Sequence, residues 1–229
     1  MQIQGLQKLT LLDFPGHTAC TVFLAGCNFR CPFCHNVPLV TEIHPEEAIS
    51  EDTFFSFLKK RCGTLDGVCI TGGEPLLYPD IEAFIRKIKA LGFLVKLDTN
   101  GSFPERLGAL LEAKLADYVA MDIKNCPEKY ELTAGCRVDL AAIQKSISLL
   151  MESGTDYEFR TTVATPLHTE ADIEKIAEWI RGAKRYYLQN FVDSGNLIGE
   201  GLASPGEESM IRMRDRALHL VPNVELRGI

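Results

Sequence analysis

Three features of the 229-residue sequence predict an α/β fold, a partial (β/α)6 TIM-like barrel. Short apolar segments alternate with amphipathic ones along most of the chain, which is the pattern of parallel strands joined by crossover helices. The length suits one β/α unit of this kind, residues 1–229 as a single domain, with no low-complexity linker or internal repeat. The unusual polar residues, finally, fall just after the apolar segments, where a β/α barrel gathers its functional groups.

The elements follow in order. After an N-terminal extension, residues 1–18, strands are expected at Ala19–Ala25, Gly67–Thr71, Phe93–Asp98, Tyr118–Ile123, Tyr157–Val163 and Arg185–Asn190. Each is rich in Val, Ile, Leu, Phe or Tyr and short enough for a buried strand. Helical periodicity runs near Glu51–Arg61, Pro79–Leu91, Pro104–Ala113, Asp139–Glu152, Glu170–Arg181 and Glu207–Leu220, so six β/α units cover about residues 19–220. Pro79 and Pro104 suit first-turn positions, and Gly92 and Gly154 suit helix C-terminal caps.

Composition narrows the function classes. With 46% hydrophobic and 24% charged residues the chain is ordinary for a globular protein, and its net charge of −7 offers no basic surface for nucleic acid. No apolar run reaches the roughly 18 residues of a membrane span, and Met1-Gln2-Ile3-Gln4 does not open a secretory signal. A reducing, cytoplasmic setting is expected, since eight cysteines are too sparse for a disulfide scaffold.

Those cysteines carry the strongest signal. Cys27, Cys31 and Cys34 lie within eight residues, in Ala25-Gly26-Cys27-Asn28-Phe29-Arg30-Cys31-Pro32-Phe33-Cys34-His35-Asn36. An iron–sulfur cube for electron transfer is normally held by four cysteines, so three leave one iron open for chemistry. Two other readings use the same residues. Zinc accepts three thiolates and one imidazole, here Cys27, Cys31, Cys34 and His35, although neighbours such as Cys34 and His35 rarely aim at one ion. Cys31 and Cys34 alone form a redox C-x2-C pair.

The C-x3-C-x2-C spacing, with the aromatic Phe33 before its last cysteine, resembles the signature of the radical S-adenosylmethionine (SAM) enzymes. Gly72-Gly73-Glu74-Pro75 resembles the segment with which that family binds the amino group of SAM. The resemblance narrows at Gly5-Leu6-Gln7-Lys8-Leu9-Thr10-Leu11-Leu12-Asp13-Phe14-Pro15-Gly16 and at Cys34-His35-Asn36, which look like the activating enzymes of glycyl-radical proteins. Among these the anaerobic ribonucleoside-triphosphate reductase activating branch is the most similar, and the pyruvate formate-lyase activating enzymes are more distant. The match runs from Gly5 to about Asn190. One departure is Gln189-Asn190-Phe191-Val192, where the formate-lyase activases carry a histidine.

The resemblance implies a radical SAM fold, a 4Fe–4S cluster on Cys27, Cys31 and Cys34, and SAM held by Phe33, His35, Asn36, Gly72, Gly73, Glu74, Asp98, Thr99, Asn100, Asp122, Lys124 and Arg160. Asp98, Thr99 and Asp122 also resemble the family's monovalent-cation positions. It implies reductive cleavage of SAM and abstraction of a glycine Cα hydrogen on a partner, with flavodoxin or ferredoxin as electron donor and an anaerobic setting. A deazapurine synthase type of radical SAM enzyme, acting on a small molecule, is the alternative.

Plainer readings remain beside these. The Gly-Gly pair makes a tight strand-to-helix turn, Asn100-Gly101 is a turn signal, and Asp122, Lys124 and Arg160 can brace a barrel rim. Asp13 either binds the entering partner loop or belongs to a hairpin plug turning at Pro15-Gly16. Cys20 and Cys69 read as core thiols. Cys126 and Cys136 bracket one loop and stay open as a redox pair or second metal site.

Overall fold

The computed structural model describes residues 1–229. Its centre is one eight-stranded sheet in sequence order, built from β1 (Ile3–Thr10), β2 (Ala19–Leu24), β3 (Gly67–Gly72), β4 (Leu94–Thr99), β5 (Tyr118–Asp122), β6 (Asp156–Val163), β7 (Tyr186–Asn190) and β8 (Val224–Arg227). β1 runs antiparallel to β2, and every later pair is parallel. The sheet curls without closing, so it is a partial barrel with β1 and β8 at its free edges.

Helices cover the outer face: α1 (Val37–Thr41), α2 (Glu51–Lys59), α3 (Ile81–Ala90), α4 (Pro104–Glu112), α5 (Tyr130–Ala134), α6 (Leu140–Glu152), α7 (Glu170–Trp179) and α8 (Glu207–Leu218). In α3 the apolar stripe Ile81, Phe84, Ile85 and Ile88 is buried, and Phe84 stacks on Phe54 of α2 at 5.4 Å between ring centroids. Ser50 caps α2, Asp139 caps α6, and Thr169 with Asp172 forms a capping box on α7, each satisfying otherwise orphaned N–H groups. No helix is long and apolar enough to cross a membrane.

Two strands lie outside the expected six. β1 comes from the segment read as an extension, and its pairing of Ile3 with Leu24 and Thr10 with Ala19 makes it a hairpin with β2. The loop of that hairpin therefore lies at the N-terminal ends of the parallel strands. There Phe14, 2% exposed, packs beside Ala19, Tyr118 and Leu94, at the starts of β2, β5 and β4. Asp13 sits in this lower plug, its carboxylate accepting a hydrogen bond from Thr21. It is not at the barrel mouth where a partner loop was expected to meet it, because the antiparallel register turns the chain away from that end.

Candidate active site

At the opposite end, the C-terminal ends of the strands surround a cavity of about 260 Å³. Cys27, Cys31, Cys34, Phe33, His35, Asn36, Gly72, Gly73, Asp98, Thr99, Asn100, Asp122, Lys124 and Arg160 all line it. They come from the last residues of β3, β4 and β5, from the loops after β2, β3, β4 and β5, and from β6, so residues far apart in sequence meet at one rim.

The glycine pair is where sequence most tightly dictates this geometry. Gly72 has φ +122°, and a Cβ there would lie 2.3 Å from the Leu24 carbonyl oxygen; on Gly73 it would lie 1.9 Å from that of Gly26. The β3 exit thus presses directly on the backbone leading into the cysteine loop, an approach that only glycine allows. Asn36 ties the far side of the loop to the same turn, donating to the Gly72 carbonyl at 2.9 Å. A second brace comes from α5, where the Ala134 carbonyl accepts from the Arg30 amide at 2.8 Å. Asn100 donates to Asn28 at 3.0 Å, and Ser102 donates to Asn100 at 2.6 Å.

All three cysteines are free thiols. Burial pushes Cys27 up to about 12 and Cys31 up to about 11, so a cation is needed to hold them as thiolates. No three His, Cys, Asp or Glu side chains surround a single point as a mononuclear ion requires. His35 in particular bonds the Val192 carbonyl at 3.0 Å and stacks on Phe191, away from the thiols. Three thiols lining one cavity, with His35 committed elsewhere and so no imidazole as a fourth ligand, suit a multi-iron cluster with an open corner better than a structural zinc site.

The same cavity holds a ladder of buried charge. Arg160 donates to Asp122 at 2.8 Å and to Asp98 at 3.3 Å, Lys124 donates to Asp122 at 3.1 Å, and Lys96 donates to Asp98. Burial alone would raise the Asp122 carboxyl, yet Arg160 and Lys124 hold it down at about 2. Burial would likewise discharge Lys124, but Asp122 keeps it firmly protonated. His168 steadies this corner by bonding the Lys124 carbonyl at 2.8 Å.

Glu74 is placed differently from the expected SAM contact. It is fully buried behind the cavity wall, accepting from the Leu76 amide at 2.9 Å, the Thr99 hydroxyl at 2.8 Å and the Asn100 amide at 2.6 Å. Burial pushes its carboxyl up to about 7 against the pull of those donors. It clamps the loop after β3 to the loop after β4, and both its oxygens are committed to those donors. Cys126 and Cys136 also part company: Cys126 faces Asp172 at 3.6 Å, whereas Cys136 faces the Asn28 carbonyl at 3.4 Å.

Phe29, Val40, Thr71 and Thr162 line the cavity without having been singled out in the sequence, and Gln189, noted there only as standing where the formate-lyase activases carry a histidine, joins them. Thr162 was within reach of the argument, since it lies two residues beyond Arg160 on β6 and shares its face. Gln189 is its register partner on β7.

Comparison with known proteins agrees with this geometry. The model of the Radical SAM superfamily matches residues 21–180, more than half of the chain, and the chain belongs to that superfamily. Within it, the family is that of the glycyl-radical enzyme activating enzymes. A Methanocaldococcus jannaschii protein provisionally described by that name is 34% identical over 99% of this chain and 96% of its own length. A pyruvate formate-lyase-activating enzyme of Listeria monocytogenes is 31% identical over 56% of each chain, and a 7-carboxy-7-deazaguanine synthase of Methanopyrus kandleri is 31% identical over 54% of each. Streptococcus suis SuiB in a crystal structure bound to S-adenosylmethionine superposes with a TM-score of 0.70 at 14% identity; the match covers 91% of this chain and 52% of SuiB, and shows the fold alone. The chain is thus an enzyme, and membership implies SAM and a 4Fe–4S cluster as its cofactors.

Proposed function

We propose that this enzyme installs a glycyl radical on a partner protein, and that the partner is an anaerobic ribonucleoside-triphosphate reductase. The observation carrying the reading is the single cavity that collects three free thiols, the Gly72-Gly73 turn and the Asp98–Arg160–Asp122–Lys124 ladder. When bound, a reduced cluster supplies the electron that cleaves SAM to methionine and a 5′-deoxyadenosyl radical, which takes a glycine Cα hydrogen.

The chain's own residues do the rest. Cys27, Cys31 and Cys34 would hold three irons. Asn36 and Asn100 set the loops that carry them. Lys124 and Arg160, both charged and both facing the cavity, are suited to the carboxylate of SAM, while Gly72 and Gly73 bring peptide groups close to its amino group. Thr162 and Gln189 form the wall on β6 and β7, where a peptide backbone finds donors and acceptors. A cytoplasmic setting and flavodoxin or ferredoxin as reductant belong to the same proposal.

The test begins with anaerobic reconstitution, which should give about four irons per chain and lose the cluster in Cys27→Ala, Cys31→Ala or Cys34→Ala. Mixing the enzyme with SAM, a strong reductant and a candidate anaerobic ribonucleotide reductase should then yield the glycyl doublet by electron paramagnetic resonance. If no glycyl-radical protein gave a doublet and a purine precursor were consumed instead, the deazapurine reading, favoured by the similarity to a 7-carboxy-7-deazaguanine synthase, would replace this one.

A further inference from the structure

Lys96 is the least expected charge in the molecule. It sits in the middle of β4, 2% exposed, with its ammonium bonded to Asp98 and 3.8 Å from the Cys69 thiol. Standing two residues before Asp98, it shares that residue's face and points into the barrel. A buried ammonium is costly unless an opposite charge compensates it, so its position ties it to Asp98.

Every carboxylate oxygen of Asp98 and Asp122 already has a cation. Asp98 Oδ1 meets Lys96 and Oδ2 meets Arg160, while Asp122 Oδ1 meets Arg160 and Oδ2 meets Lys124. Three cations thus share the two carboxylates, and neither carboxylate has an oxygen left without one. The Thr99 hydroxyl is committed as well, donating to Glu74 at 2.8 Å and accepting from the Gly101 amide at 3.1 Å. The three residues that resemble cation-binding positions therefore do not fit a metal ion. Such an ion needs several free oxygens, and here it would also meet the repulsion of three cations already in place.

We propose that the Lys96 ammonium stands in for a monovalent metal ion at Asp98, so that this enzyme orders its SAM site without sodium or potassium. The proposal rests on the SAM binding that the family implies. Lys96 is a positioning residue: it fixes Asp98, which with Asp122 fixes Arg160 at the cavity wall.

The experiment compares the melting temperature of the metal-free protein and the SAM affinity of the reconstituted enzyme in KCl, NaCl and choline chloride at matched ionic strength. Wild type should give the same values in all three salts. Lys96→Ala leaves Asp98 short of a cation and opens a space; it should lose about tenfold in SAM affinity in choline and regain most of it in KCl or NaCl. Lost packing alone would not be rescued by an alkali ion. Should Lys96→Ala fail to fold, Lys96→Met combined with Asp98→Asn removes both charges and should melt identically in the three salts; an alkali response in that protein would overturn the proposal. So would a wild-type protein stabilised by potassium over choline, or a Lys96→Ala protein indifferent to alkali ions. Wild type binding no SAM in any salt would remove the functional reading beneath, while the metal-free melting comparison still decides the role of Lys96.

Discussion

The two ends of the same seven parallel strands are built on opposite rules. At the C-terminal end, polar groups converge and backbone crowds backbone: Gly73 lies against Gly26, Glu74 spans two loops, and three cationic side chains share Asp98 and Asp122. At the N-terminal end, the hairpin loop 11–18 presses Phe14 against Ala19, Leu94 and Tyr118, and Leu11 and Leu12 remain exposed. Buried charge is stabilising only when fully paired, whereas an apolar plug contributes simply by leaving water. A barrel of this kind thus separates a site whose geometry must be exact to a fraction of an ångström from a base that only needs filling.

The largest expected effect comes from the crowded end. Gly73→Ala places a methyl where the Gly26 carbonyl stands, and no rotamer change relieves a backbone clash. The metal-free protein should lose about 4 kcal/mol, and iron uptake should fall with it because the same backbone leads into Cys27. Calorimetry together with iron analysis checks both; a protein that melts normally and takes up its iron would show the contact to be looser than described.

Phe14→Ala sharpens the contrast from the other end. Removing this buried ring should cost about 3 kcal/mol, and the melting temperature should drop by roughly 6–12 °C. Iron content and SAM affinity should nevertheless stay at wild-type values in the folded protein, since Phe14 packs at the strand starts and is not among the residues lining the cavity. A loss of SAM affinity would mean that the two ends are coupled through the barrel interior, by way of Cys69 and Lys96.

How much of this the sequence discloses differs between the ends for a physical reason. Strands β2 to β7 are legible because each is a short apolar run between turn signals, and the cavity residues are legible because they stand where those runs stop. β8 escaped notice as only four residues, Val224-Glu225-Leu226-Arg227, of which only Val224 is buried. β1 alternates weakly and contains Gly5 and Lys8, as an edge strand does. Glu74 shows the limit of motif reasoning: the motif fixes its loop, but not whether its carboxylate faces ligand or protein. Lys96 lay hidden inside a run read as core, although its spacing from Asp98 already put both on one face.

Asp13 brings the smallest effect and the most direct decision between the ends. Its sequence context allowed two places: beside the entering partner loop, where Asp13→Ala would bind SAM and yet fail in radical transfer, or in a hairpin plug turning at Pro15-Gly16. The choice between them depended on which way residues 5–16 run along the barrel, and spacing does not reveal a strand's partner or direction. The register of Thr10 with Ala19 sends the residue to the base, where its carboxylate accepts from Thr21 and its carbonyl faces the Cys69 thiol at 3.9 Å. Asp13→Ala should accordingly cost about 1 kcal/mol, the loss of one partly exposed hydrogen bond. Cluster content, SAM affinity and the yield of the glycyl doublet should all match wild type. A variant of normal stability that bound SAM but gave no doublet would return Asp13 to the substrate path, and would require the lower end of the barrel to contact the partner protein.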